Sequence, residues 1–224
     1  MTEKEWLRSG HAPSMMYHLR RKPLQRKRRL LACACCRRIW HMLVDARSRA
    51  AVEVAEQYAD GLVSREQLDA AHEQAKRADL DLNAVMTQVP REELEPHWKR
   101  WKGAISAKHA SATKGTGRAI DHASDAVWVD LDHARQERAS QADLVRDIFG
   151  NPFQPVTVDL RWITSNVVDL ARTVYDECAF DRLPILADAL MDAGCADEQI
   201  LSHCRSGGPH VRGCWVLDLI LGKG

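Results

Sequence analysis

The sequence LQRKRRLLACACCRRIWHML, residues 24–43, contains neither glycine nor proline and predicts one continuous helix. Its apolar residues recur every three or four positions, as Leu31, Cys35, Ile39 and Met42 illustrate. That spacing places them on one face of a helix, where they can be buried together. The stretch therefore indicates a helix that packs against other helices.

Similar patterns follow along most of the chain. They predict helices over 46–59, 65–86, 120–138, 165–175, 180–191, 197–204 and 211–221. One stretch, 156–160, favours a strand because β-branched residues dominate it. We therefore predict an all-α, multi-helix globular bundle. Its N-terminal helical region would span 1–141, with a basic helix at 23–44 and a less regular middle at 64–141, and an antiparallel helical subdomain would span 142–224.

Cysteine usage and hydropathy give an expectation about the compartment. The chain has seven cysteines, an odd number, and three of them crowd into CACC at 33–36. Secreted disulfide frameworks normally use even sets at wider spacing, so reduced thiols and a cytoplasmic location are expected. The sequence also contains no apolar run of about 18 residues, so we expect no membrane association.

The near-neutral net charge of +1 conceals a strong segregation of charge along the chain. Residues 6–44 contain ten Lys and Arg and no acidic residue, and residues 96–120 contain six and none. The remainder of the chain therefore carries a net charge of −15. Such segregation predicts a basic surface that could meet a protein partner with an acidic surface.

The basic stretches are also candidates for nucleic-acid binding, through phosphate attraction and base stacking. As an alternative, the tryptophans form a buried stripe and the cations pair with acidic groups of the same chain. The candidate residues for an acidic partner or a nucleic acid are Arg20, Arg21, Lys22, Arg26, Lys27, Arg28, Arg29, Trp98, Lys99, Arg100, Trp101 and Lys102.

The closing segment, 194–224, concentrates cysteine and histidine around a Ser-Gly-Gly-Pro turn. If the last helix spans 211–221, His210 and Cys214 lie one turn apart at its start and could hold zinc. The candidate ligands are Cys195, His203, Cys204, His210 and Cys214. The sequence nevertheless favours packing, since the segment lacks a Cys-x-x-Cys spacing and free cysteine behaves as a small buried hydrophobe.

Two further patterns suggest chemistry and have simpler structural explanations. Cys33 and Cys36 have the spacing of redox motifs, but they lie inside a predicted helix, away from the N-terminal dipole that would activate a thiol. Asp69/His72 and Asp130/His133 have the spacing of di-metal bundle ligands, although such sites normally use glutamate. The chain contains no Gly-x-Ser-x-Gly, Walker or His-Glu-x-x-His motif.

Four segments share a resemblance: CCRRIWHMLVDARSRAAVEVAEQYADG, LVRDIFGNPFQPV, YDECAFDRLPILADALMDAGC and GPHVRGCWVLDLILGKG. They resemble a family of uncharacterised bacterial proteins of planctomycete type that occurs in many paralogous copies. The likeness covers about residues 15–63 and 142–224. It implies no activity, cofactor or site residue.

The sequence thus favours a non-enzymatic protein-interaction or scaffolding module that needs no cofactor. A nucleic-acid-binding protein and a Cys/His metal-binding protein, with zinc as the metal, are the alternatives. The partner and the oligomeric state are left open.

Overall fold

The computed structural model describes residues 1–20, 24–112, 116–127 and 131–223, and within these ranges it contains helices and no strand. The α-helices there are α1 (Glu3–Arg8), α2 (Ala12–His18), α3 (Gln25–Arg38), α4 (Ala46–Ala59), α5 (Arg65–Met86), α6 (Leu94–Ser111), α7 (Thr116–Ala126), α8 (Leu131–Phe149), α9 (Ser165–Asp176), α10 (Leu183–Asp192), α11 (Glu198–Arg205) and α12 (Trp215–Leu221). The predicted all-α fold class is confirmed. None of these helices, among the described residues, combines the length and apolar character needed to cross a membrane.

The chain forms two compact units. The terminal unit joins the two ends of the chain, Met1–Leu7 and Asp143–Gly224, and the central unit is Arg8–Ala142. The division falls inside α8, whose last two turns belong to the terminal unit. The division at 141/142 stays a prediction, but the first seven residues group with the C-terminal residues, which the sequence did not suggest.

Helix α3 lies at the core of the central unit and contacts α4, α6 and α7. Cys33, Cys35 and Cys36 are at most 1% exposed. Their side chains are small, so neighbouring helices can approach closely, and a buried cysteine packs as a small apolar group. Gly103 of α6 is an example of close approach in this unit. A Cβ at that position would lie 3.4 Å from the side chain of Leu43, which follows α3 in the chain.

Helices α9 to α12 enclose the core of the terminal unit. α10 contacts α9 and α11, and α12 contacts α9. Their fully buried side chains include Tyr175, Leu183, Leu190, Ile200 and Leu217. Removing such side chains from water is the main stabilising contribution in a unit of this size.

The N-terminal helix α1 packs onto this same unit through Trp6. That side chain is fully buried, and its indole N–H donates to the Gly150 carbonyl at 3.1 Å. Arg146 donates to the Trp6 carbonyl at 3.0 Å. These bonds join residues 140 and 144 positions apart in the chain, so α1 is an integral part of the terminal unit.

Several helix starts follow the local sequence rules. Thr2 and Glu5 form a reciprocal cap at the start of α1, with bonds of 2.7 and 3.3 Å. Ser64 caps α5 in the same way with Gln67. Asp197 begins α11 as predicted, its carboxylate accepting two backbone N–H groups.

Other sequence predictions are wrong in detail. Residues 156–160 form no strand, and α3 ends at Arg38, after which a 3₁₀ turn, Trp40–Met42, breaks the predicted continuous helix. The last helix begins at Trp215 rather than at residue 211, so residues 206–214 have no regular helical structure.

Gly150, just after α8, is a position where we expect substitution to lower the stability of the protein. Its φ is +63°, and an added Cβ would lie 3.3 Å from the Trp215 ring. We expect Gly150→Ala to lower the free energy of unfolding by about 1–2 kcal/mol, because it combines left-handed strain with crowding. Gly207→Ala is the control, since a Cβ there meets nothing within 4 Å. Chemical denaturation measures both, and equal stability of the two variants would contradict the assignment.

The Arg26–Asp60 ion pair gives a second stability prediction. The two groups lie 2.9 Å apart, and the Asp60 side chain is only 2% exposed. We expect Arg26→Ala to lower the free energy of unfolding by about 2 kcal/mol, because it removes a positive charge 2.9 Å from a buried carboxylate. Arg65→Ala removes an exposed ion pair with Asp69 and should cost less than about 1 kcal/mol. A smaller loss for Arg26→Ala than for Arg65→Ala in urea titrations would refute this.

Candidate metal centre

A buried carboxylate, Asp147, forms the base of a polar cluster in the terminal unit. It lies in the last turn of α8 and its side chain is 3% exposed. Its Oδ2 accepts the backbone N–H of Val211 at 3.0 Å. Its Oδ1 faces two imidazole nitrogens, Nδ1 of His210 at 2.7 Å and Nε2 of His203 at 3.2 Å. One carboxylate oxygen therefore has two ring nitrogens within contact distance.

The second ring nitrogen of His210 also has a partner. Its Nε2 lies 3.3 Å from the backbone carbonyl oxygen of Ser206, to which an N–H can donate. A neutral ring with its hydrogen on Nε2 would direct the Nδ1 lone pair at Asp147 Oδ1, 2.7 Å away. Two lone pairs at that distance repel each other, so this tautomer would need a cation or a second proton between them. The other neutral tautomer donates from Nδ1 to Asp147, and its Nε2 can accept a hydrogen bond from the Ser206 hydroxyl, 3.4 Å away.

His203 faces two groups through a single nitrogen. Its Nε2 lies 3.2 Å from the Cys214 sulfur and 3.2 Å from Asp147 Oδ1. That nitrogen either donates its hydrogen to Asp147 or accepts one from the Cys214 thiol, which is a weak donor. A metal ion coordinated by all three groups would engage both contacts at once.

The four side chains together have the composition of a metal ligand set. One donor atom each from Asp147, His203, His210 and Cys214 lies within 4.8 Å of the other three. A tetrahedral zinc ion with ligands at about 2.0–2.3 Å separates its ligand atoms by roughly 3.3–3.8 Å. Small side-chain shifts therefore suffice to place one ion among them. In the part of the chain that the structure describes, no other group of three or more such residues is found.

Local sequence determines how the ligand residues are presented. The Asp197 cap fixes the start of α11, which carries His203 in its last turn. Ser206 to Pro209 then turn the chain, and Gly213, with φ of +90°, sets Cys214 at the N-cap of α12. The cluster thus joins the end of α8, the end of α11 and the segment before α12.

Aromatic contacts hold the His203 ring in place. The His210 ring packs edge-on against it, with 4.9 Å between ring centroids. The Trp215 ring lies 5.1 Å away on a tilted plane, and Trp215 itself packs on Gly150. A ring restrained by two neighbours keeps its nitrogen in the cluster, which favours a preformed site.

Burial and hydrogen bonding shift the pKa values of three groups in the cluster. Burial acts to raise the pKa of Asp147, but hydrogen bonds from His203 and His210 outweigh it and lower the pKa. Burial also acts to lower the pKa of His210, whereas its bond to Asp147 raises it overall. Burial raises the pKa of the Cys214 thiol well above its usual range, and the Asp147 charge adds to this. The Asp147 carboxylate therefore stays negatively charged although it is buried.

The arrangement does not resemble a nucleophilic triad. In such a triad the nucleophile and the carboxylate contact opposite nitrogens of the histidine. Here Cys214 and Asp147 both face Nε2 of His203. Cys214 is also fully buried and its pKa is raised, so its sulfur is poorly suited to attack a substrate.

Three of the five metal ligands predicted from the sequence lie in the cluster. Cys195 and Cys204 do not, because they lie in the apolar core of the terminal unit, which is the packing role that the sequence favoured. His210 and Cys214 were expected one turn apart on a helix, and this was wrong, since α12 begins after Cys214. Asp147 was missed because it lies 63 residues before His210 and no short spacing connects them.

The other sequence candidates for chemistry are not brought together. Asp69 pairs with Arg65, whereas His72 Nδ1 contacts the Lys108 carbonyl at 3.0 Å. Asp130 lies outside the described residues. Cys33 and Cys36 are fully buried, and burial raises the pKa of Cys36 to about 12. A thiol with such a pKa is a poor redox nucleophile.

The arginines of the first basic stretch largely serve the central unit itself. Arg28 donates to the Leu19 carbonyl at 2.7 Å, and Arg29 donates to the carbonyls of Ala110 and Ala112. Lys27 is partly buried, and Arg20 stacks 3.8 Å from the Tyr17 ring. Arg26 pairs with Asp60, as described above, while Arg21 and Lys22 lie outside the described residues.

The second basic stretch, 97–103, is also engaged within the central unit. Trp98 and Trp101 are partly buried, and the Trp101 indole donates to Asp79 at 2.8 Å. Lys102 pairs with Asp125 at 2.9 Å. Of the remaining candidates, Lys99 pairs with Glu95 and Arg100 is exposed. Arg26, Lys99 and Lys102 are therefore paired with acidic groups of the same unit.

A comparison of the chain with protein-family models, curated proteins and solved structures found no match in any of the three. The resemblance to a planctomycete-type family therefore stays an expectation from the sequence.

Thiol accessibility gives a prediction that separates buried from reactive cysteines. All seven are unpaired, and Cys178 is the exposed one. We expect a maleimide reagent to label one thiol per native chain and seven after denaturation, because buried thiols are shielded and mostly protonated. Cys178→Ser should abolish the native labelling, as mass spectrometry of the labelled protein would show. Rapid native labelling of Cys33 or Cys36 would instead favour the redox hypothesis.

Proposed function

We propose that this protein binds one zinc ion through Asp147, His203, His210 and Cys214. The observation that carries the proposal is the convergence of a carboxylate oxygen, two imidazole nitrogens and a sulfur within 4.8 Å of one another. Of the functions considered from the sequence, this metal-binding alternative is the one that the geometry supports best.

The ligand types favour zinc over other biological cations. Magnesium and calcium prefer oxygen ligands, whereas a thiolate and two imidazoles suit a borderline-soft ion. Mixed sets of sulfur, nitrogen and carboxylate oxygen are typical of four-coordinate zinc. The bond from His210 Nε2 to the Ser206 carbonyl is the contact that usually orients a ligating imidazole.

The competing explanation of the short contact to Asp147 is a His210 ring that donates from Nδ1, either protonated or as the neutral Nδ1–H tautomer. The 3.2 Å contact between His203 Nε2 and the Cys214 sulfur is then a weak thiol hydrogen bond. Zinc accounts for all four groups together, because each would donate one lone pair to the same ion.

Bound zinc would stabilise the fold of the terminal unit. His203 ends α11, Asp147 ends α8 and Cys214 begins α12, so one ion would join three helical segments. Residues 206–214 have no regular helical structure to hold them, and the metal would fix both ends of this loop. A metal that binds the folded state alone adds its binding free energy to stability.

The interaction-module and nucleic-acid hypotheses stay predictions from the sequence. The ion pairs of Arg26 and Lys102 within the central unit offset part of the positive charge on which they depended.

Elemental analysis and thermal unfolding test the zinc proposal. We expect one zinc per chain in untagged protein. Removing zinc should lower Tm by several degrees, since binding at about a thousand times Kd contributes about 4 kcal/mol. Returning zinc should restore the Tm. Protein that lacks zinc and whose Tm does not respond to added zinc would refute the proposal.

Two cysteine variants provide the matched comparison. Cys214→Ala should lose stoichiometric zinc, whereas Cys204→Ala should keep it. Both sulfurs are fully buried in the same unit, so both variants lose similar packing and only one loses a ligand. Full zinc content in Cys214→Ala would contradict the assignment of that ligand.

A further inference from the structure

A solvent-accessible cavity of about 280 Å³ lies beside the proposed metal ligands in the terminal unit. Three of the four ligand residues line it, namely Asp147, His203 and His210. Cys214 is not among the lining residues and is fully buried. An ion held by all four groups would therefore lie between a buried sulfur and the cavity.

The cavity wall that faces this site is open and carries little side-chain bulk. It includes Ser206, Gly208 and Pro209 of the loop between α11 and α12. Gly208 is exposed, and a Cβ there would meet only the Ser206 hydroxyl, at 3.6 Å. Among the ligand side chains that line the cavity, His203 is 17% exposed, whereas His210 and Asp147 are 7% and 3% exposed, so a small solute would reach the His203 side first.

The carboxylate ligand is restricted to one donor oxygen. Oδ2 of Asp147 accepts the Val211 N–H, which leaves Oδ1 for the metal. Four protein groups would then supply four donor atoms and no more. Zinc with four ligands can expand to five-coordinate when a further ligand reaches it.

We infer that the zinc site accepts an exchangeable fifth ligand from the cavity, and that this ligand is a small monodentate anion or water. The inference rests on the proposed zinc site. Its basis is the cavity that borders three ligand residues while the fourth is buried behind them.

The charges around the cavity indicate the class of ligand. A zinc ion with one thiolate and one carboxylate has no net charge, so an anion is not repelled by the centre. Arg146, which also lines the cavity, donates to Asp143 at 2.7 Å, and the two charges offset each other. The cavity volume of about 280 Å³ suits a small molecule rather than a polymer.

Cobalt substitution tests the inference. Co²⁺ prefers similar ligands to zinc, and its visible absorption depends on coordination number. We expect the Co²⁺ protein, full chain and without its zinc, to show thiolate-to-cobalt absorption. Adding sodium azide should then change the visible bands in a saturable manner. An unchanged spectrum with azide would overturn the fifth-ligand inference and leave the zinc proposal intact, whereas a protein that binds no Co²⁺ would overturn both.

Two adjacent glycines provide matched variants that test whether the fifth ligand reaches the metal through the cavity. Gly208 lines the cavity and Gly207 does not, and both are exposed. We expect Gly208→Phe to weaken azide binding at least about tenfold, because its ring obstructs the cavity. Gly207→Phe should leave azide binding unchanged, and both variants should keep the Co²⁺ spectrum. Equal azide affinity in the two variants would overturn the cavity as the route of access.

Discussion

The terminal unit depends on how the buried charge of Asp147 is compensated. A carboxylate that is 3% exposed must have positive or hydrogen-bonding partners, because an isolated buried charge costs several kcal/mol. The fold supplies a backbone N–H and two imidazoles, which come from α11 and from the loop that follows it. The position of this loop is thus set by electrostatics rather than by regular secondary structure.

Packing around the cluster gives it rigidity. Trp215 contacts both the His203 ring and Gly150. The Gly150 carbonyl in turn accepts a hydrogen bond from the indole N–H of Trp6. The first helix of the chain is therefore connected to the cluster through two tryptophans. This connection explains why residues 1–7 belong to a unit otherwise built from residues 143 onward.

The bounds of some helices could be predicted from local sequence rules. The periodicity and caps of α4 and α5 gave their bounds correctly, because those signals act over a few residues. The candidate site was predicted only in part. His203, His210 and Cys214 were found through their clustering, but Asp147 joins them only in the folded chain. Likewise, the charge of Arg26 looked available for a partner until the fold placed Asp60 2.9 Å away.

X-ray absorption at the zinc edge of the purified protein tests the central claim most directly, because it reports the donor atoms themselves. Four ligands from Asp147, His203, His210 and Cys214 predict one sulfur at about 2.3 Å and nitrogen or oxygen donors at about 2.0–2.2 Å. A shell without sulfur, or one with two or more sulfurs, would show that the metal is bound elsewhere or by other residues, and would contradict the account.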